Sequence, residues 1–359
     1  MTRTLWIDAA GLPRTIDQTV LPFELREISL DSQEACAEAI RTMRVRGAPL
    51  IGAVGAYGLA LALRADPGDD ALEAACAGLL ATRPTAVNLR WALERVRGRV
   101  AGLPPARRAA VAWAECAAIC DEDVACNRAI GVHAARLLVA AREADGERVL
   151  NVLTHCNAGR IATIDEGTAL AAIYRLQRDG VPVHVWVDET RPRNQGASLT
   201  AWELAQRGIS HTVIADNAGG LLMQRGQVDA VIVGCDRVAA NGDVANKIGT
   251  YLKALAARDA DVPFFVACPV ASIDPGAPHG DAIEIEYRDP REITHVQGFD
   301  DEAGAMRALR IVPEGAVALN PGFDITPARL VTALVTERGV VSASREGIAA
   351  LLAGTGPDR

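Results

Sequence analysis

Residues 228 to 251 read VDAVIVGCDRVAANGDVANKIGTY. A run with the texture of a buried strand leads straight into Asp236 and Arg237, and a polar turn then leads to Asn246 and Lys247. A carboxyl group at the rim of an apolar strand is partly stripped of water, which raises its pKa and lets it keep a proton near neutrality. Such a group is a candidate general acid. Turns and helix caps also use Asp, so one residue decides little, but three others share its setting. Cys156 follows RVLNVLT (148 to 154), Asp188 closes VPVHVWVD (181 to 188) and Asp216 closes HTVIAD (211 to 216). If these runs are parallel strands, all four polar groups line the carboxyl edge, where open sheets bind their ligands.

An anion is the expected ligand. Asp243 reads as an N-cap and Val244, Ile248, Tyr251, Leu252 and Leu255 as one apolar stripe, so a helix is expected with Asn246 and Lys247 in its first turn. Free N–H groups and the positive end of the helix dipole favour phosphate there. RGAP (46 to 49) is a second candidate clamp, because Gly47 admits close backbone approach and Pro49 suits a helix start. Neither G-x-x-x-x-G-K-[ST] nor a strand-linked G-x-G-x-x-G is present, so nucleotide-dependent chemistry is not indicated. Cys156 in LTHCNAGR lies in a polar, tight-turning loop between a strand and an expected helix, a setting that favours the thiolate. Cys116 and Cys120, one helical turn apart, read as core instead. His155 is a possible base, and the other histidines show no metal-ligand spacing.

Two textures must position these residues. From about 30 to 145 the pattern is helical, punctuated by DPGDD (66 to 70) and GLPPARR (102 to 108), and the uncharged stretch 48 to 63 reads as a buried helix whose Gly52, Gly55 and Gly58 admit a close neighbour. Its sixteen uncharged residues fall short of the ~20 that span a bilayer. With ADGE (144 to 147) as the break, short β-branched runs then alternate with helical stretches, the last being PFFVAC (263 to 268), and TPARLVTALVTERG reads as a closing helix capped by Thr326. The expectation is an α/β protein, with a mainly helical N-terminal domain over 1–145 and a Rossmann-like domain with a mostly parallel sheet over 146–359.

The whole chain has 359 residues, half of them apolar, and a formal charge of -8, which argues against a general nucleic-acid binder. Eight cysteines without a C-x-x-C pair indicate neither a zinc site nor a disulfide framework and fit a reducing cytoplasm. The first 25 residues contain no apolar run of signal-peptide length.

The runs RGAPLIGAVGAYG, RPTAVNLRWALERV, LTHCNAGR, DETRPRNQGASLTAWEL, DNAGGLLM, GCDRVAANGDVANKIGTY, IEIEYRDPREITHVQG and NPGFDITPARLVTALVTERG resemble those of the S-methyl-5-thioribose-1-phosphate isomerases, and the likeness covers nearly the whole chain. The wider family also holds ribose-1,5-bisphosphate isomerases and the regulatory subunits of a translation-initiation exchange factor. The resemblance implies an aldose-ketose isomerase of methionine salvage, without metal or organic cofactor, acting on a small sugar phosphate as a homodimer. By motif match it assigns substrate binding to Arg46, Gly47, Ala48, Arg83, Gln195, Asn246 and Lys247, the acid to Asp236 and an assisting role to Cys156.

After LTHCNAG this family continues with small residues and an aromatic, whereas this chain carries Arg160, Asp165 and Glu166. Facing a pocket, these charges imply a different group on carbon 5, such as that of 5-deoxyribose 1-phosphate or ribose 1,5-bisphosphate. Otherwise they face solvent from the start of a helix, where Asp and Glu are favoured. A non-catalytic scaffold, as in the translation-factor relatives, has no need of Cys156, Asp236 and the Asn246-Lys247 pair together.

Overall fold

The computed structural model describes residues 3–84, 86–142 and 148–354. The chain forms two compact units, Met1–Gly131 with Ala158–Ala171, and Val132–Asn157 with Ala172–Arg359. The sequence division at 145 and this one do not coincide: the first unit ends within a helix, and a short segment after Cys156 returns to it. The expected boundary at 144 to 147 lies outside the described residues.

The first unit opens with a small antiparallel sheet, β1 (Leu5–Ile7), β2 (Pro13–Ile16) and β3 (Glu27–Ser29), followed by α1 (Gln33–Arg41), α2 (Ala48–Ala65), α3 (Asp69–Leu80), α4 (Val87–Val100) and the greater part of α5 (Pro105–Ala141). Ser32 caps α1 by accepting the Ala35 N–H. The apolar stretch is α2, buried on nearly every face, and its glycines explain how. A Cβ on Gly52 would lie 2.9 Å from the Asn88 carbonyl oxygen and one on Gly55 2.3 Å from Leu89, so α4 rests against bare backbone, while Gly58 faces Cys36 and Leu79. By length and composition α2 and α5 could each cross a membrane, but α2 spends its apolar surface on its own unit's core with Leu79, Leu89 and Leu93. Cys116 and Cys120 are core residues as expected, and burial pushes the Cys120 thiol up to about 12.

Asp123 on α5 accepts the N–H of Ile164 at 2.9 Å and the Asn127 amide at 3.0 Å, and burial, chiefly, pushes its carboxyl up to about 7. A carboxyl held above its unfolded value stabilises the fold fully below that value, and the contribution is lost as pH rises through the folded pKa. Stability therefore falls as the pH rises from about 4 to about 7. Asp123→Asn keeps an acceptor and removes the titration, so urea midpoints measured between pH 5 and 8 should fall less in the variant than in the parent. Equal falls would contradict the assignment.

The second unit contains β4 (Leu150–Thr154), most of α6 (Ala169–Arg178), β5 (Val183–Asp188), α7 (Ala201–Gln206), β6 (Ser210–Ile214), α8 (Ala218–Gln224), β7 (Ala230–Val233), β8 (Arg237–Ala239), β9 (Val244–Lys247), α9 (Thr250–Asp259), β10 (Phe264–Ala267), β11 (Ile273–Asp274), α10 (Arg291–Thr294), β12 (His295–Asp300), β13 (Ala305–Arg310), β14 (Phe323–Thr326), β15 (Ala333–Thr336), β16 (Gly339–Val341) and α11 (Arg345–Leu352). All five apolar runs picked out in the sequence are strands of one sheet, ordered β16-β15-β10-β7-β4-β5-β6. Its pairings are parallel except for the edge strand β16. The chain starts in the middle at β4, runs outward through β5 and β6, and then restarts on the other side at β7. The direction of winding reverses between β4 and β7, and such a switch point opens a crevice at the carboxyl ends of its strands. β12 and β13 pair as a hairpin over residues 295–310, and β13 is exposed throughout.

Two expectations fail here. No helix begins at Asp243: residues 244–247 are β9, paired antiparallel with β8 and β14 in a second sheet, β11-β8-β9-β14, and α9 starts only at Thr250. The expected closing helix is likewise the end of β14, a short turn and β15, which pairs with β10. In both stretches helical spacing is overridden by partners distant in sequence, and Val, Ile and Thr suit the pleated surface those partners offer.

Candidate functional site

Cys156 and Asp236 follow the two strands that flank the switch point, β4 and β7, whose register pairs Leu153 with Val231. Two contacts bring Asn246 and Lys247 to the same rim. The Asp236 N–H donates to the Ala245 carbonyl at 3.0 Å, and His155 Nε2 lies 2.8 Å from the Ile248 carbonyl oxygen. Asp236 is half-buried and Asn246 is buried, its amide donating to Thr250 Oγ1 at 3.1 Å. Lys247 Nζ donates to the Gly322 carbonyl at 2.9 Å and stands 4.8 Å from the centre of the Phe323 ring.

Asn246 and Lys247 are thus at the rim, but not in a helix's leading turn. The true first turn, that of α9, is already occupied: Asp324 accepts the N–H of Gly249 at 2.7 Å and of Tyr251 at 3.1 Å. Burial raises the Asp324 pKa, and those two amide bonds oppose the rise. A carboxylate in that position satisfies the dipole, so this helix end is not an open anion site. The expected stripe on α9 is corrected with it: Leu252 is 64% exposed, while Lys253, Ala254 and Ala257 face inward.

Gln195 begins the wide turn Gly196–Thr200 and is buried, and its Oε1 has no hydrogen-bond partner among the described residues. A buried amide oxygen left unpaired is costly, and a donor such as a sugar hydroxyl would satisfy it. Gly196 has no freedom to change, since a Cβ there would meet the Asp188 carbonyl oxygen at 1.7 Å.

Below the rim lies a charged cluster that local sequence does not announce. His155 Nδ1 is 2.8 Å from Asp188 Oδ2, Lys253 Nζ is 3.2 Å from the same oxygen, and all three side chains are at most 5% exposed. The Ile248 carbonyl only accepts, so His155 donates to it from Nε2. Lys253 also donates to the Asp216 main-chain oxygen, and the Asp216 carboxylate receives the N–H groups of Thr190 and Arg191, each at 2.7 Å. Ligand atoms of His155, Asp188 and Asp216 lie within 4.8 Å of one another, a grouping that a metal ion could use. Most of these atoms are already engaged, since the Lys253 ammonium and His155 Nδ1 both meet Asp188 Oδ2 and His155 Nε2 meets Ile248, while the buried Asp188 Oδ1 has no hydrogen-bond partner among the described residues. Asp188 and Asp216, read in sequence as rim groups, hold this rim in place. Lys253 was missed because a lysine inside a helix reads as solvated, and only the facing carboxylate on β5 would have betrayed it.

In the first unit, Gly47 precedes α2 at φ 95° with Pro49 in the first turn, as expected. The close approach it permits is to the Ala162 main chain, 2.3 Å from an added Cβ. Arg46 is buried, and Arg83 lies in the segment between α3 and α4. Arg160 and Glu166 are 6% and 7% exposed, so neither points to solvent from a helix start. Glu166 faces Arg128 at 3.7 Å, and the Asp165 carboxylate receives the Glu166 N–H.

Comparison with known proteins agrees with this architecture. The Initiation factor 2 subunit family matches residues 44–343. A methylthioribose-1-phosphate isomerase of Acidiphilium cryptum is 58% identical over 352 residues, 97% of this chain and 95% of that protein. Among solved structures, the 5-methylthioribose 1-phosphate isomerase from Pyrococcus horikoshii OT3 superposes with a TM-score of 0.86 at 39% identity, covering 98% of this chain and 96% of that one. A protein described as translation initiation factor eIF-2B, subunit delta, from A. fulgidus follows at 0.82 and 38% identity, covering 98% of this chain and all of that one.

Proposed function

Because the chain belongs to the Initiation factor 2 subunit family, we propose from that premise that it converts S-methyl-5-thio-ribose 1-phosphate to S-methyl-5-thio-ribulose 1-phosphate, an aldose-ketose isomerisation of methionine salvage. The observation that carries the reading is the pair Cys156 and Asp236 just past the ends of the two strands flanking the switch point, in a chain 58% identical to a protein of that name.

Phosphate on the anomeric oxygen blocks the free aldehyde from which simpler aldose isomerases start, so the ring must be opened with the phosphate in place. Asp236 gives its proton to the ring oxygen as the bond from that oxygen to carbon 1 breaks. The hydrogen on carbon 2 then reaches carbon 1, and the 2-hydroxyl gives its proton to the Asp236 carboxylate as it becomes the ketone. Cys156 either takes the carbon-2 hydrogen as a proton, leaving an enol that is reprotonated on carbon 1, or stabilises its direct passage to carbon 1 as hydride. Gln195, Asn246 and Lys247 in the second unit, and Arg46, Gly47, Ala48 and Arg83 in the first, are assigned to substrate contacts by the resemblance. The unpartnered Gln195 Oε1 supports its share. The parallel strand order supports a Rossmann-like reading of the second unit. A cytoplasmic homodimer completes the proposal, and a solution mass equal to one chain would remove the dimer.

Substrate deuterated at carbon 2 tests the step. Retention of the label in the ketose supports the hydride route, and full loss to water supports abstraction by Cys156. No ketose at all would favour the second reading, a binding scaffold, which the likeness to the eIF-2B delta protein keeps in view.

A further inference from the structure

We propose that Thr190 and Thr200 are positioning residues that fix Cys156 for the reaction by holding its main chain between their two hydroxyls; the inference rests on the reading of Cys156 as a group that acts at the substrate. Cys156 has φ 64° and Thr190 φ 68°. Left-handed backbone at a residue other than glycine is strained and persists only where the surroundings enforce it, and a β-branched residue there is a true outlier. The two outliers are bonded to each other, for the Cys156 N–H donates to Thr190 Oγ1 at 2.8 Å. On the other side, the Thr200 hydroxyl donates to the Cys156 carbonyl at 2.7 Å.

Each hydroxyl has one hydrogen, and each spends it at a defined place. Thr190 donates to the Asp188 main-chain oxygen at 3.0 Å, and Thr200 accepts from the Asn157 amide at 3.1 Å. Both threonines are fully buried. Thr190 is clamped by the Asp216 carboxylate on its own N–H and on that of Arg191. Thr200 closes the wide turn that starts after Gln195, and Asn157 is tied through Glu203 to Tyr174. Every bond in this frame converges on the residue whose φ sets the direction of the thiol. Were Cys156 to relax to the ordinary right-handed region, its Cα–Cβ bond would swing away, and misplacement by about 1 Å is enough for a loss near 100-fold.

The test compares Thr190→Val, which keeps the shape and loses the acceptor, with Thr190→Ser, which keeps the hydroxyl. The valine variant should lose about 10- to 100-fold in kcat with KM nearly unchanged, and the serine variant should recover most of the loss. The pH profile of Cys156 alkylation by iodoacetamide, followed by peptide mass mapping, should shift in the valine variant alone. Thr200→Val and Thr200→Ser repeat the comparison from the carbonyl side should Thr190→Val fail to fold. Full kcat in both valine variants, or equal losses in valine and serine variants with unchanged Cys156 alkylation, would overturn the proposal. Cys156→Ser in the same assay separates the two layers: if it is fully active, the reading of Cys156 fails, whereas an inactive Cys156→Ser beside fully active Thr190→Val and Thr200→Val sinks this inference alone.

Discussion

Asp236→Asn should lower kcat by about two to four orders of magnitude, the range that a positioned general acid supplies, while leaving the fold and substrate affinity nearly intact. The substitution is isosteric, and the Asp236 main-chain bond to Ala245 does not depend on the side chain. What vanishes is the proton for the ring oxygen, because a carboxamide is far too weak an acid to deliver one. Cys156→Ser should lose activity comparably, and the two losses should not add, since both residues serve one hydrogen rearrangement. Steady-state kinetics of the single and double variants check this. An Asp236→Asn protein with the parent's kcat would remove the acid from the account.

The second large effect is on stability. Asp188→Ala should destabilise the second unit by about 3–5 kcal/mol, the typical consequence of removing one member of a buried ion pair. Asp188 is fully buried and its Oδ2 meets both His155 Nδ1 and Lys253 Nζ, so deletion leaves the buried Lys253 ammonium, held then by the Asp216 main-chain oxygen, without its countercharge. His155→Gln should be far milder, because it uncovers no charge. Urea unfolding followed by circular dichroism measures the difference, and a loss below about 1 kcal/mol, the level of an exposed pair, would show that the cluster is solvated in solution.

Much of this was legible in the chain, and the failures share one cause. The five β-branched runs are all strands: β7 and β10, buried at every residue, write that environment into consecutive apolar residues, whereas the largely exposed edge strand β6 shows itself only through its β-branched residues. The strand-end rule places Cys156 and Asp236 at the carboxyl edge of the sheet without any knowledge of the topology, and both do follow strands of that sheet. Residues 244–247 misled because Asp243 and the spacing beyond it imitate a capped helix, whereas their strand partners, 237–239 and 323–326, include one about 80 residues away. The segment around 333–336 misled in the same way, its partner being β10. The support of the site was hidden more deeply. Nothing local to DETRPRNQG announces that Thr190 adopts a left-handed conformation, or that it meets Cys156, 34 positions earlier. For the same reason the sequence points a phosphate toward a helix start, and the end that α9 actually presents is already filled by Asp324.

The most direct test is to incubate the purified protein with S-methyl-5-thio-ribose 1-phosphate alone and follow the sugar by NMR, beside Asp236→Asn. The account predicts quantitative appearance of the ribulose 1-phosphate with the parent protein and almost none with the variant. Saturable binding of the sugar with no ketose formed by the parent would contradict it.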